Sequence, residues 1–109
     1  MNKVRQTNIY IGLKDSEVYE QLFETEKYIS ILKNVCKAYR VAFSMNRISG
    51  GYFHEDGTYV EEESLVLTLL DVDEKTIGEI SKDLCAFFNQ ESVMVTYTDA
   101  LIRFVKEKI

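Results

Sequence analysis

Two glutamates and two serines are the residues of this 109-residue chain whose types and positions best suit chemistry. Glu62 and Ser64 stand at the start of one stretch of alternating apolar residues, and Glu91 and Ser92 stand at the start of another. When two carboxylates lie within about 6 Å of each other and are partly buried, the pKa of one rises, as acid–base catalysis at neutral pH requires. The sequence therefore offers one candidate site, formed if the fold brings these strand starts together.

The same four residues also have a structural interpretation, which we rank first. Glutamate and serine at strand starts accept hydrogen bonds from backbone N–H groups and tie a sheet edge together. Ligand binding ranks second and catalysis third. A nucleophilic triad would need His54, the only histidine, to face Ser64 or Ser92, whereas a histidine beside a turn usually faces solvent. Phosphate-binding loops, dinucleotide fingerprints and metal-ligand spacings are missing, so we expect no catalytic residue, metal or cofactor.

Composition narrows the class of partner. Eighteen acidic residues against 13 basic ones give a net charge of −5, which argues against nucleic-acid binding. Hydrophobic residues make up 46% of the chain, enough for one packed domain. Cys36 and Cys85 lack metal-ligand spacing and are expected to be reduced core residues. The first 13 residues contain no apolar run typical of a signal peptide or membrane span, so we expect a cytoplasmic protein.

Hydrophobic periodicity predicts the elements that position these side chains. Alternation predicts strands at 7–13, 41–53 and 60–72, and a fourth strand from 91 that continues past a bulge near Asp99. Three- and four-residue spacing predicts two helices, the first capped by Thr25 and the second by Asp73. The second helix should bury an apolar stripe that comprises Ile77, Ile80, Leu84, Phe87 and Phe88.

Glycines mark three further features. Asp56-Gly57 is a turn signature between the second and third strands. Gly50-Gly51 predicts a bulge near the end of the second strand, with a close approach by another backbone or a ligand as the alternative. Gly78 within the second helix predicts close packing of that helix on the sheet.

The resulting order is strand–helix–strand–strand–helix–strand. Residues 1–109 are therefore predicted to form a single ferredoxin-like α+β domain, with a four-stranded antiparallel sheet in the order 4-1-3-2 and two helices on one face. In this topology the first two strands end at the sheet edge where the last two begin. We expect a ligand-binding edge composed of Tyr52, Glu62, Ser64, Gln90, Glu91 and Ser92.

The face opposite the helices is the second candidate surface. Because side chains alternate along a strand, Tyr10, Val66, Thr68, Leu70 and Met94 are predicted to lie on it. This face is more apolar than a solvated sheet requires, so we expect a second copy or another protein to cover it.

The second half of the chain resembles a family of small bacterial proteins known only as a domain of unknown function. The resemblance spans residues 50–95 and lies in Gly50-Gly51-Tyr52, Asp56-Gly57, Glu62, Ser64–Leu67 and Gln90–Val93. It follows the family pattern G-x-W, D-G, E-x-S with an aliphatic strand, then Q-E-S-V. Tyr52 stands where the family has tryptophan, and the secretion signal of many members is not found here. The resemblance implies an α+β fold and no known activity.

Three functions follow, in rank order. The first is a non-catalytic binding module that self-associates or engages a protein partner through the open sheet face, as an accessory or phage-type inhibitory protein does. The alternative is a protein that binds a small molecule or nucleotide at the Glu62/Ser64/Glu91/Ser92 edge. The third is an enzyme that uses the same carboxylates.

Overall fold

A computed structural model of the chain describes residues 1–53 and 55–107; His54 lies outside these ranges. Its elements are β1 (Asn2–Gly12), α1 (Thr25–Tyr39), β2 (Ser44–Phe53), β3 (Tyr59–Leu70), α2 (Glu74–Phe87) and β4 (Met94–Ile102). The antiparallel sheet has the order β2-β3-β1-β4, which is the predicted 4-1-3-2 order in reverse. The ferredoxin-like prediction is confirmed.

The core lies between the helices and one face of the sheet. Ile9 and Ile11 of β1 pair with Leu67 and Leu65 of β3, and all four are fully buried. Against them pack the buried residues Leu32, Cys36, Ile77, Ile80 and Leu84 of the two helices. Burial raises the pKa of the Cys36 thiol to about 11, because the low-dielectric core disfavours the thiolate. Cys36 is thus a core residue, as predicted, whereas the free Cys85 is only partly buried and the core prediction for it is wrong.

The helix starts differ in how they are capped. Asp73 precedes α2, and its side chain accepts a hydrogen bond from the backbone N–H of Thr76, which confirms the predicted cap. Thr25 is instead the first residue of α1, and Glu24 before it makes no capping bond. The Thr25 hydroxyl accepts a hydrogen bond from Gln21 Nε2 at 3.0 Å, so the cap prediction for Thr25 is wrong.

Both predicted bulges are wrong, because the strands pair without interruption. Gly50 and Gly51 pair with Glu62 and Glu61 in the regular register of β2 and β3. Within the described ranges, Gly57 of the turn is the one glycine with a positive φ, at 88°. The hydroxyphenyl end of Tyr59 occupies the space where Gly51 has no side chain. The close approach is therefore made by a neighbouring side chain.

The alternation of apolar residues breaks at Asp99, but the backbone there is regular, since Asp99 pairs with Arg5 in an unbroken β1–β4 register. At this end of the sheet the side chains on the helix side are charged. Lys3 forms an ion pair with Asp99 at 3.3 Å, and Arg5 lies 5.2 Å from the ring centre of Tyr97. The sequence pattern changes here in polarity and not in backbone geometry.

Two predictions for α2 are corrected. A Cβ on Gly78 would contact nothing within 4 Å, so this glycine does not mark close packing on the sheet. Phe87 is 61% exposed, whereas Phe88 is 3% exposed. The helix ends at Phe87, and the cap residue Phe88 turns its ring into the core, where it meets Tyr28 edge-on at 5.0 Å. None of the described helices is long and apolar enough to span a membrane.

The adjacent phenylalanines provide a matched test of this helix end. Phe88→Ala should lower the free energy of unfolding by about 3–5 kcal/mol, because it removes a buried ring and leaves a cavity. Phe87→Ala removes an exposed ring and should cost less than about 1 kcal/mol. Urea denaturation of both variants measures the difference, and equal losses would contradict the placement of Phe88 in the core.

Candidate functional site

A cleft of about 480 Å³ opens at the sheet edge where β1 and β2 end and where β3 and β4 begin. Ten residues line it: Lys14, Asp15, Ser16, Tyr19, Tyr52, Val60, Glu62, Gln90, Glu91 and Ser92. Of the predicted ligand-binding residues, the structure places all but Ser64 around this cleft. Ser64 lies further along β3, paired with Gly12 and Ile48.

Glu62 lies on the open face between two glycines of the neighbouring strands. A Cβ on Gly12 of β1 would stand 3.0 Å from Glu62 Oε1, so the carboxylate extends over Gly12. On the other side Gly50 of β2 pairs with Glu62, and a Cβ there would contact nothing within 4 Å. Any larger residue at Gly12 would push the carboxylate aside. Gly12 therefore leaves the room that the carboxylate of the half-buried Glu62 occupies.

The carboxylate of Glu62 has no hydrogen-bond or ion-pair partner among the residues that the structure describes. The predicted tie from Glu62 or Ser64 to backbone is therefore not made within 1–53 and 55–107. In the turn, Asp56 Oδ1 accepts the backbone N–H of Thr58 at 2.9 Å instead. A half-buried carboxylate without a protein partner is available to a ligand.

The loop after β1 forms one wall of the cleft, held by Asp15. One oxygen of Asp15 accepts the backbone N–H of Glu17 at 2.8 Å, and the other accepts Nδ2 of Asn89, also at 2.8 Å. The backbone N–H of Ser16 donates to the carbonyl of Asn89 at 3.0 Å. The bonds donated to the Asp15 carboxylate, led by that from Asn89, hold the pKa of Asp15 below its ordinary value of 3.8.

Gln90 adds further bonds between the loop after β1 and the segment after α2. Its Nε2 donates to the backbone carbonyl of Lys14 at 2.5 Å and to that of Phe88 at 3.3 Å. Gln90 therefore supports the wall through its amide, while the following residues, Glu91 and Ser92, are exposed at the rim. The strand starts meet as the topology predicts, and Gln90 is a positioning residue.

Besides Lys14, which the predicted ligand-binding set does not include, sequence reasoning missed four residues of the cleft: Asp15, Ser16, Tyr19 and Val60. Three of them lie in the irregular stretch after β1, whose shape depends on bonds to Asn89, more than 70 positions away. Tyr19 has a left-handed backbone, with φ at 60°, and is 77% exposed. Asp15-Ser16 directly after a strand was the available clue, because aspartate commonly accepts backbone N–H groups just after it in turns.

The cleft carries more carboxylates than ammonium groups. Asp15, Glu62 and Glu91 contribute carboxylates, and Lys14 contributes the one ammonium among the described lining residues. Asp15 is already bound within the loop, whereas Glu62 and Glu91 have no described partner. Tyr19 and Tyr52 add aromatic rings, whose faces attract cations. The cleft is suited to a ligand with a positively charged centre.

No family model and no curated protein sequence matches the chain. Solved structures do match it over nearly its whole length. A phage SAM lyase in complex with S-methyl-5'-thioadenosine is 16% identical, with a TM-score of 0.64 over 94% of this chain and 93% of that one. The chain shares its fold. The periplasmic divalent cation tolerance protein CutA from Archaeoglobus fulgidus is 14% identical, with a TM-score of 0.58 over 94% and 89% of the two chains.

A third similar structure is CPII from Thiomonas intermedia K12, bound to ADP, AMP and acetate. It is 14% identical, with a TM-score of 0.53 over 94% of this chain and 90% of that one. Identities this low establish a common ferredoxin-like fold and leave the function of this chain to its own residues.

The predicted interface residues share the open face of the sheet. Tyr10 of β1 pairs with Val66 on one side and Met94 on the other. Thr68 donates its hydroxyl proton to Asn8 Oδ1 at 2.7 Å, and Leu70 pairs with Gln6 towards the far end. Leu70 and Met94 are 46% and 58% exposed, whereas Val66 is only 9% exposed. The exposed apolar area is therefore divided by a polar strip.

The stability that Asp15 contributes through the cleft wall should depend on pH. Both of its oxygens accept hydrogen bonds, so Asp15→Asn would place an amide donor against the Asn89 donor and lower stability at neutral pH. Because the folded-state pKa of Asp15 is depressed, its contribution is present above 3.8 and is lost as the pH falls through the folded-state pKa. The difference in stability between wild type and Asp15→Asn should therefore narrow as the pH falls below 3.8.

Urea denaturation from neutral pH down to about pH 3 measures this difference. Asp99→Asn, at the exposed far end of the sheet, is the matched control and should change stability much less. A difference between wild type and Asp15→Asn that is constant over the whole range would contradict the role given to the carboxylate.

Proposed function

We propose that the edge cleft binds S-adenosylmethionine (SAM), an adenine nucleoside with a positively charged sulfur. The observation that carries the proposal is the carboxylate of the half-buried Glu62, which extends over Gly12 at the cleft and has no described partner. Such a carboxylate needs a cation or a hydrogen-bond donor from outside the protein, either water or a ligand. A sulfonium centre near Glu62 meets that need.

The size and lining of the cleft agree with such a ligand. Small-molecule sites usually enclose about 300–1,000 Å³ and combine apolar walls with a few polar groups. The cleft holds about 480 Å³, and Tyr52, Val60 and Tyr19 supply surfaces against which a base or sugar can pack. Glu91 adds a second negative charge at the rim.

The nucleoside class is supported by the structural comparisons. The phage SAM lyase that shares this fold is solved with S-methyl-5'-thioadenosine, and CPII with ADP and AMP. These similarities favour the small-molecule alternative from the sequence over an interface on the open face. Among adenine ligands, the excess of carboxylates in this cleft favours a cationic one over a nucleotide phosphate.

Glu62→Gln tests the proposal. The variant keeps the size of the side chain and removes its charge, so SAM should bind about 10- to 100-fold more weakly. Neutral S-methyl-5'-thioadenosine should lose less than about 3-fold. Isothermal titration calorimetry measures both affinities, and Glu63→Gln is the control, because the exposed Glu63 is engaged with Ser49 outside the cleft.

The melting temperature of Glu62→Gln separates binding from structure. If Glu62 supported the backbone, its loss would lower stability by about 1–3 kcal/mol. With no described partner to lose, the variant should melt as wild type does. Absence of SAM binding by wild type, or equal losses for both ligands in Glu62→Gln, would overturn the proposal.

Cleavage of SAM is the catalytic form of this proposal, and it is supported by the similarity to a lyase over nearly the full length of the chain. It would release S-methyl-5'-thioadenosine: the S–C bond to the amino-acid part breaks with its electron pair going to sulfur, and the carboxylate oxygen of that part bonds to the same carbon and closes a lactone. Chromatography of the incubation mixture detects that product. Binding without product would restrict the function to a non-catalytic one.

The open face supports a second function, self-association. Leu70 and Met94 expose apolar side chains there, and Ile48 lies on the same face at 37% exposure. Exposed apolar side chains that share one sheet face can be covered by a second copy or a protein partner.

Leu70→Lys and Met94→Lys test self-association, because each places a charge on the open face without filling the core. Val66→Lys is less suitable, since Val66 is nearly buried in the monomer. Sedimentation should show wild-type oligomers dissociating in both variants, while Leu101→Lys, an exposed change outside this face, has no effect. A wild type that is monomeric at high concentration would exclude self-association.

A further inference from the structure

Lys14 is the one ammonium among the described residues of a cleft that otherwise carries carboxylates. Within those residues its side chain forms no ion pair with Glu62, Glu91 or any other carboxylate. The lysine is partly buried in the wall of the cleft. A cation that lines the cleft without a protein partner is available to an anionic group of a ligand.

The backbone around Lys14 is held from both sides. Its carbonyl accepts the Gln90 amide at 2.5 Å, and the preceding N–H, that of Leu13, donates to the carbonyl of Glu63 at 3.2 Å. The next N–H, that of Asp15, donates to the carbonyl of Glu20 at 2.8 Å. Because the backbone is held here, the ammonium projects from a defined point on the wall, as a specificity-determining group requires.

We propose that Lys14 binds the carboxylate of the amino-acid part of SAM and thereby selects SAM over ligands that lack this group. This inference rests on the proposed function. The amino-acid part of SAM carries one carboxylate and one ammonium, and the sulfonium beside it is a second cation. Lys14, Glu62 and Glu91 line one cleft, and together they supply one cation and two carboxylates for this arrangement of one negative and two positive charges.

A phosphate is the other anion that a lysine commonly binds. In this cleft a nucleotide phosphate would bring about two negative charges next to Glu62 and Glu91, and the repulsion opposes its binding. The carboxylate of a zwitterion carries one charge, and its own ammonium is attracted by Glu91. The charges of the cleft therefore favour a carboxylate as the partner of Lys14.

The test compares three ligands by isothermal titration calorimetry: SAM, its decarboxylated analogue and ADP. Wild type should bind SAM about 10- to 100-fold more tightly than the decarboxylated analogue, which retains the sulfonium and the amine. Lys14→Gln should remove most of this preference by weakening SAM alone, and Lys14→Arg should retain it. Lys33→Gln, on an exposed position of α1, is the matched control.

The outcomes separate this inference from the proposed function. Equal binding of SAM and its decarboxylated analogue by wild type would overturn the role of Lys14 while the cleft remains a SAM site, and this comparison needs no variant. ADP that binds more tightly than SAM and is lost in Lys14→Gln would also overturn it, in favour of phosphate. If wild type binds neither SAM nor its analogue, the proposed function fails as well.

Discussion

The antiparallel pairing of β1 with β3 is the constraint on which the rest of the structure depends. Its register sets Ile9 and Ile11 beside Leu67 and Leu65, so that the middle of one face of the central strands is apolar and must be covered by the helices. The same register sets Gly12 opposite Ser64, and Glu62, two residues earlier in β3, extends over Gly12. A shift of one residue would bury polar side chains and move Glu62 to the helix side.

The cleft shows features that a purely structural edge would not need. Gly12 leaves the space over which the Glu62 carboxylate extends, and glycine in strands weakens a sheet. The carboxylate itself has no described partner. Such departures from local consistency are commonly found at functional sites, where a ligand supplies the missing interactions.

The wall of the cleft depends on contacts between residues distant in sequence. Asp15 and Asn89 join the loop after β1 to the segment after α2, and Gln90 joins the same segments through the carbonyl of Lys14. Beneath them the ring of Phe88 packs on Tyr28, and Tyr28 in turn meets Phe23 at 6.0 Å. The polar bonds and the aromatic contacts hold the loop from above and below, which fixes the backbone from which Lys14 projects.

Patterns that repeat along the chain were sufficient to predict the fold. Alternating Leu65, Leu67 and Leu69 specified a half-buried strand, and Asp73 specified the start of α2, because periodicity and capping are local. The element order then brought Tyr52, Glu62, Gln90 and Glu91 to one edge. Only the tertiary structure decided that the strands pair without the predicted bulges and that Phe88 is buried while Phe87 is exposed. It also decided that Asp15 and Tyr19 contribute to the cleft. These features depend on which distant groups meet. A glycine pair can form a bulge or leave space for a neighbouring ring, and an irregular loop takes its shape from the side chains that bind it.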